Sequence, residues 1–257
     1  MTPSTLIIRT AGTNCDAELA YAFEQAGAST RTIHLARLID EPSLIESFDL
    51  IGFPGGFSYG DDIAAGRIFA NRLRHRLLEP LQQAAERGVP MIGICNGFQV
   101  MVKLGLLPFP AEAKQVCTLA DNTSGRFTCK WVPMVEDAQS VCVWTSGLGD
   151  FELPIAHGEG RFTGPPELID QLKSNGQVAL RYAQCTNPNG SQDDIAGVCD
   201  PSGVIFGLMP HPERCTTPTQ HPQWTRKGEG FLSQTMPGLQ VFKNAVQHVR
   251  EKAAAGV

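Results

Sequence analysis

Apolar runs recur through the first half of the chain, each followed by a turn signal and then by apolar positions spaced three and four apart. The run "TLIIR" (5–9) precedes the turn "AGTNCD"; Leu19, Ala22, Phe23 and Ala26 then share one face of a helix expected over 16–26, which Gly27 ends. "TRTIHL" (30–35) reads as a second strand, "LARLIDEP" as a short helix, and "DLIGF" (49–53) as a third strand running into the glycine-rich "PGGFSYGDD". A long helical pattern over 67–88, with an interruption expected near Pro80, leads to a fourth apolar run, "VPMIGIC", and a further helix from about Gly97 with Phe98, Met101, Val102 and Gly105 on one side. Repeated β-to-α units of this kind predict a parallel sheet covered by helices on both faces.

The rhythm changes after about residue 130. "WVPMV", "SVCVWT", "LPIAH", "VALRYA", "IAGVCD" and "VIFGLMPH" follow one another closely, separated by turn signals such as "NPNG" and "PSG". These read as antiparallel strands added to the first sheet. A last helix carries Phe242, Ala245, Val246 and Val249 as one stripe, and "KAAAGV" is expected to fray. The segment 215–238, rich in Pro, Thr and Gln, is left without an assigned element. No repeat or linker divides the chain, so the expectation is a single α/β domain over 1–257: a three-layer open sheet, mainly parallel, with antiparallel additions.

Composition narrows the function. The 257 residues carry a net charge of −5 with 21 Lys and Arg scattered along the chain, which disfavours a phosphate-tracking nucleic-acid surface. No apolar stretch reaches bilayer length, and "MTPSTLIIRT" lacks the basic and apolar regions of a secretory leader, so a cytoplasmic protein without membrane contact is expected. In that setting the eight cysteines are expected to be thiols, and no C-x-x-C pair suggests zinc. There is also no G-x-x-x-x-G-K-[ST] phosphate loop.

One cysteine stands apart. In "GICNGF" a strand ends at Cys95 and a helix begins immediately after it, with glycines two residues to either side. Small flanking residues permit the sharp turn that exposes a nucleophile, and a helix N-terminus favours a thiolate. The alternative is a buried structural cysteine at a strand end. An acid–base partner must come from a histidine. His211 in "MPHPER" has Glu213 two residues on, and His157 in "AHGEGRF" has Glu159 at the same interval, so spacing does not choose between them. A carboxylate beside an imidazole fixes its tautomer and stabilises the cation. Neither pair finds further ligands for a metal, and none is expected. Acyl transfer also needs donors for an oxyanion; the N–H groups of Gly56, in the loop after the third strand, and of Asn96 are the candidates.

Taken in order, "FPGGFSYGDD", "GICNGFQ" and "MPHPER" resemble the class I, triad-type glutamine amidotransferases. "GTNCD", "GGFSYGDDIAAGRIFA", "AHGEGRF" and "NPNGS" narrow the resemblance to the glutaminase subunits of phosphoribosylformylglycinamidine synthases, and the motifs span 12–214. The resemblance implies a flavodoxin-like amidotransferase fold, with Cys95 as nucleophile, His211 as base and acid, and Glu213 as its orienting partner. It favours His211 over His157, and it places Gln99, Arg126 and Phe127 at the glutamine pocket. It further implies L-glutamine as substrate and a separate synthetase subunit, with a small third subunit, that receives ammonia and carries the ATP and Mg chemistry; no cofactor is expected in this chain. The competing expectations are the glutaminase of another amidotransferase or a stand-alone cysteine hydrolase on the same fold, and a scaffold subunit with a relic triad.

Overall fold

A computed structural model describes residues 1–256. The first half alternates as β1 (Ser4–Arg9), α1 (Asp16–Gln25), β2 (Ser29–His34), α2 (Leu35–Asp40), β3 (Leu50–Phe53), α3 (Arg67–Arg76), α4 (Leu78–Glu86), β4 (Met91–Ile94) and α5 (Asn96–Leu104). The second half contains β5 (Thr118–Ala120), β6 (Thr128–Glu136), β7 (Asp150–His157), β8 (Arg161–Thr163), α6 (Pro166–Ser174), β9 (Val178–Tyr182), β10 (Ile195–Cys199), β11 (Ile205–Leu208) and α7 (Pro237–Ala255).

Among the described residues, nine strands form one sheet in the order β2-β1-β3-β4-β11-β10-β9-β6-β7, and β5 pairs with β8 separately. The first five strands of that order are mutually parallel and the remaining pairings are antiparallel. Helices cover both faces of the parallel part. A methyl on Gly52 would meet Leu19 and Phe23 of α1, whereas Phe53 meets Gly97 at the start of α5. Consecutive strand residues point to opposite faces, so α1 and α5 lie on opposite sides of the sheet. α7 packs beside α1, and α3 beside α5. Burial on both faces explains why β3 and β4 are apolar at every position, while β6 alternates.

The structure departs from the sequence expectations at several points. β11 is not one of the antiparallel additions: it pairs with β10 antiparallel through the turn at 201–203, and that reversal brings it parallel to β4, with Ile205 opposite Met91 and Leu208 opposite Ile94. "SVCVWT" is not a strand. Val143–Thr145 form a 3-10 turn, because the buried Trp144 donates its Nε1–H to the Val204 carbonyl at 2.8 Å and the Asn244 side chain of α7 donates to the carbonyls of Trp144 and Ser146. The break in the long helical pattern falls at Leu77 rather than Pro80. A helical proline clashes with the carbonyl four residues earlier, so Pro80 ends α3 at Arg76 and itself sits in the first turn of α4, where its missing N–H costs nothing. The C-terminal helix continues to Ala255 instead of fraying from Lys252, and Val257 of that expectation lies outside the described residues. Residues 215–236 form a loop of 3-10 turns that leads into α7 at Pro237, held to the sheet by buried His221, which meets Glu152 of β7 at 3.1 Å and packs on Trp131 of β6.

Candidate active site

Three adjacent parallel strands, β3, β4 and β11, end at one place, where ligands of open α/β sheets bind. β3 delivers the loop with Gly55 and Gly56, β4 delivers Cys95, and β11 delivers His211.

Cys95 occupies the bend itself, with φ 52° and ψ −107°. A non-glycine residue with positive φ is strained and persists only where its surroundings enforce it. Here they do. The Cys95 N–H donates to the Leu208 carbonyl of β11 at 2.8 Å, and the glycines to either side remove the atoms that would open the turn. A Cβ on Gly97 would stand 1.9 Å from the Phe53 carbonyl oxygen, and one on Gly93 would stand 2.4 Å from Met101 Sδ. Cys95 is 6% exposed, and its thiol lies 3.7 Å from the carbonyl of Ala156 on β7.

His211 Nδ1 donates to Glu213 Oε1 at 2.6 Å, with both residues buried. The pair meets across a one-turn 3-10 helix, Pro212–Arg214. Because Nδ1 holds the proton, Nε2 is the free position; it is buried and, among the described residues, has no hydrogen-bond partner. Burial works against the imidazolium, but Glu213 and the nearby sulfurs of Cys95 and Cys15 outweigh it, so the pKa is raised well above 6.5. Cys15 was not assigned a role from sequence. Its Sγ accepts from Arg214 Nη2 at 3.2 Å, and burial raises its pKa. Donor atoms of Cys15, His211 and Glu213 lie within 4.8 Å of one another. The Arg214 guanidinium on the sulfur and the engaged Nδ1 oppose a cation there.

Beside Cys95 opens a cavity of about 270 Å³ whose lining includes Gly56, Gln99, Arg126, Phe127, His157 and Glu159. Gly56 has φ 144°, and a Cβ on it would lie 2.7 Å from the Gly12 carbonyl, so only glycine fits. Among the described residues, neither the Gly56 N–H nor the Asn96 N–H finds an acceptor within the protein. Gln99 lines the cavity with both ends of its amide engaged: its Oε1 accepts from Asn96 Nδ2 at 3.0 Å and its Nε2 donates to the Glu159 carbonyl, leaving one N–H and one lone pair. The Asn96 side chain also ties the site to the loop after β3, accepting from the Ser58 N–H and donating to Asp61 Oδ1, both at 3.2 Å. Burial raises the Asp61 pKa. Arg126 and Phe127 are exposed at the mouth of the cavity, and Phe127 stands beside Phe57.

A family model described as the CobB/CobQ-like glutamine amidotransferase domain matches residues 2–249. The chain belongs to this family. Among curated glutamine amidotransferases of this kind, it is 46% identical over 254 residues to the phosphoribosylformylglycinamidine synthase subunit PurQ of Dehalococcoides mccartyi, covering 96% of this chain and 98% of that one. It is 40% identical to the PurQ subunit of Methanococcus maripaludis strain S2, covering 96% and 97%. A solved amidotransferase chain in the structure of PurLQS from Thermotoga maritima superposes with a TM-score of 0.72 at 32% identity, covering 96% of this chain and 99% of that one. The mainly parallel sheet with helices on both faces is thus the amidotransferase fold that the motifs implied.

Sequence reasoning missed Asn122, which holds together the wall opposite Cys95. Its Nδ2 donates to the carbonyls of Arg126 and His157, both at 2.9 Å, and its Oδ1 accepts from the Gly160 N–H and meets His157 Nδ1. The available signal was that Asn122 heads the polar turn "NTSGRF", which also carries Arg126 and Phe127; in the structure it is buried. Its partners His157 and Gly160, however, lie 35 and 38 positions away, on β7 and beyond it.

Proposed function

We infer that this chain is the glutaminase subunit of a phosphoribosylformylglycinamidine synthase of purine biosynthesis. The observation that carries the reading is the juxtaposition of a strained, helix-capping Cys95 at the end of β4 with a Glu213-bound His211 at the end of the adjacent β11, in a chain nearly coextensive with PurQ relatives.

The chemistry follows from the geometry. His211 Nε2 accepts the Cys95 proton, and Glu213 stabilises the imidazolium. The sulfur attacks the side-chain amide carbon of L-glutamine, and the Gly56 and Asn96 N–H groups receive the oxyanion, worth about 3 to 4 kcal/mol per donor in such sites. Collapse breaks the C–N bond as His211 returns its proton to nitrogen, releasing ammonia and leaving a glutamyl thioester. His211 then takes a proton from water, and attack at the thioester releases glutamate. Arg126 provides a guanidinium for the substrate carboxylate, while Gln99 and Phe127 act as wall.

The ammonia passes to a synthetase subunit that binds ATP and Mg and converts formylglycinamide ribonucleotide to its amidine, in an assembly completed by a small third subunit. The PurLQS neighbour supports that partnership. The chain itself needs no cofactor for hydrolysis. Among the described residues no helix is long and apolar enough to cross a membrane, which accords with a cytoplasmic enzyme. In the reconstituted complex, Cys95→Ala should abolish glutamine-dependent amidine synthesis and leave ammonia-dependent synthesis working. Equal loss of both would refute the division of labour.

A further inference from the structure

His157 is the histidine that the triad does not use, yet it lines the glutamine cavity and is only 2% exposed. Its tautomer is fixed by Asn122. Because Asn122 Nδ2 faces two carbonyls and its Oδ1 takes the Gly160 N–H, the amide cannot be turned around, and His157 Nδ1, 3.1 Å from that oxygen, must be the donor. Only a glycine at 160 leaves the ring this room, since a Cβ there would be 2.2 Å from Nδ1 and Cε1. Nε2 therefore presents a lone pair, is buried, and has no hydrogen-bond partner among the described residues. The residue before it, Ala156, receives the Cys95 thiol, and His157 senses the charge of His211, so it stands beside the reacting groups.

We propose that His157 Nε2 is the acceptor for the amide nitrogen of bound glutamine, so that this acceptor-only imidazole distinguishes an amide from an acid or ester at the reacting carbon. The proposal rests on the glutaminase reading above and adds a specificity-determining residue to it. An amide NH2 offers the N–H that the lone pair requires. A carboxylate or ester oxygen in its place offers another lone pair and leaves Nε2 buried and unpaired, and such a site rejects the analogue that lacks the donor. Burial together with the His211 charge keeps the ring neutral, with a pKa of about 4. When the C–N bond breaks, the nitrogen carries the proton given by His211 and leaves as NH3. The same lone pair accepts one of its N–H bonds, and His157 has no proton at Nε2 with which to convert it to ammonium.

The test uses the full chain carrying Cys95→Ala, so that nothing turns over, and calorimetric titration with L-glutamine and with L-glutamate γ-methyl ester, which replaces NH2 by OCH3. The expected preference for glutamine is about tenfold or more. Adding His157→Asn keeps a donor where Nδ1 stood and removes the acceptor at Nε2; the preference should collapse to within about threefold, through weaker glutamine binding. Adding His157→Gln restores an acceptor oxygen near the Nε2 position and should recover most of it. An undiminished preference in His157→Asn would overturn the proposal. So would equal loss of binding in both variants with circular dichroism unchanged, which would make His157 a packing residue. If the Cys95→Ala chain binds neither compound, the glutaminase reading itself fails, an outcome distinct from both.

Discussion

Gly97→Ala tests the construction of the bend directly. The new Cβ would lie 1.9 Å from the Phe53 carbonyl oxygen, 2.6 Å from its carbon and 2.9 Å from Phe53 Cβ. Ordinary contact needs about 3.5 Å, so the first of these is short by roughly 1.5 Å. β3 cannot yield, because its pairings with β1 and β4 fix Gly52 and Phe53 in register. The start of α5 must move instead, carrying the Asn96 N–H and Cys95 with it. Overpacking of this kind costs about 1 to 3 kcal/mol, and a 1 Å misplacement of reacting groups costs about 100-fold in rate. Urea unfolding followed by circular dichroism, with glutamine hydrolysis measured on the same preparation, reads both effects. Gly230→Ala, at a position with nothing within 4 Å, is the matched control and should change neither. A Gly97→Ala protein with an unshifted midpoint and activity within threefold of the parent would refute the argument that close approach of β3 and α5 sets the nucleophile.

Glu213→Gln keeps the shape but removes the charge that holds the His211 pKa up; hydrolysis should fall by about 1,000-fold or more, and a loss under tenfold would contradict the triad. Arg126→Ala should raise the KM for glutamine about tenfold, and more than it lowers kcat, in steady-state assays; the opposite split would remove Arg126 from substrate binding. The two buried histidines act on stability in opposite pH windows. His157, lowered to about 4, stays neutral while the unfolded chain takes up a proton below pH 6.5, so stability falls by up to about 3 kcal/mol as pH drops from 6.5 to 4. His211, raised above 6.5, contributes stability that is complete below that value and is lost as pH rises through its folded pKa. Urea midpoints across pH 4 to 8 should show both slopes, and His157→Asn should flatten only the acid side.

The residues that do local work were legible in the chain. Gly93, Cys95 and Gly97 announce the bend because a sharp turn demands small neighbours at fixed offsets, and the apolar runs announce buried parallel strands because both faces are covered. Glu213 could be named as a partner of His211, although the turn that joins them could not. "SVCVWT" misled because its β-propensity is overridden by one indole N–H reaching Val204 and one asparagine from α7.

Periodicity and motif spacing determined the α/β class, the tight bend that makes Cys95 the candidate nucleophile and the loop of glycines, all of which depend on contacts between near neighbours. The choice of His211 over His157 on physical grounds, the parallel placement of β11 beside β4, and the Asn122 clamp on His157 were decided only when strands distant in sequence became adjacent. Two His-x-Glu segments carry the same local information. Which imidazole receives the carboxylate, and which receives an amide that fixes it as a bare acceptor, is set by which strand ends the fold brings together.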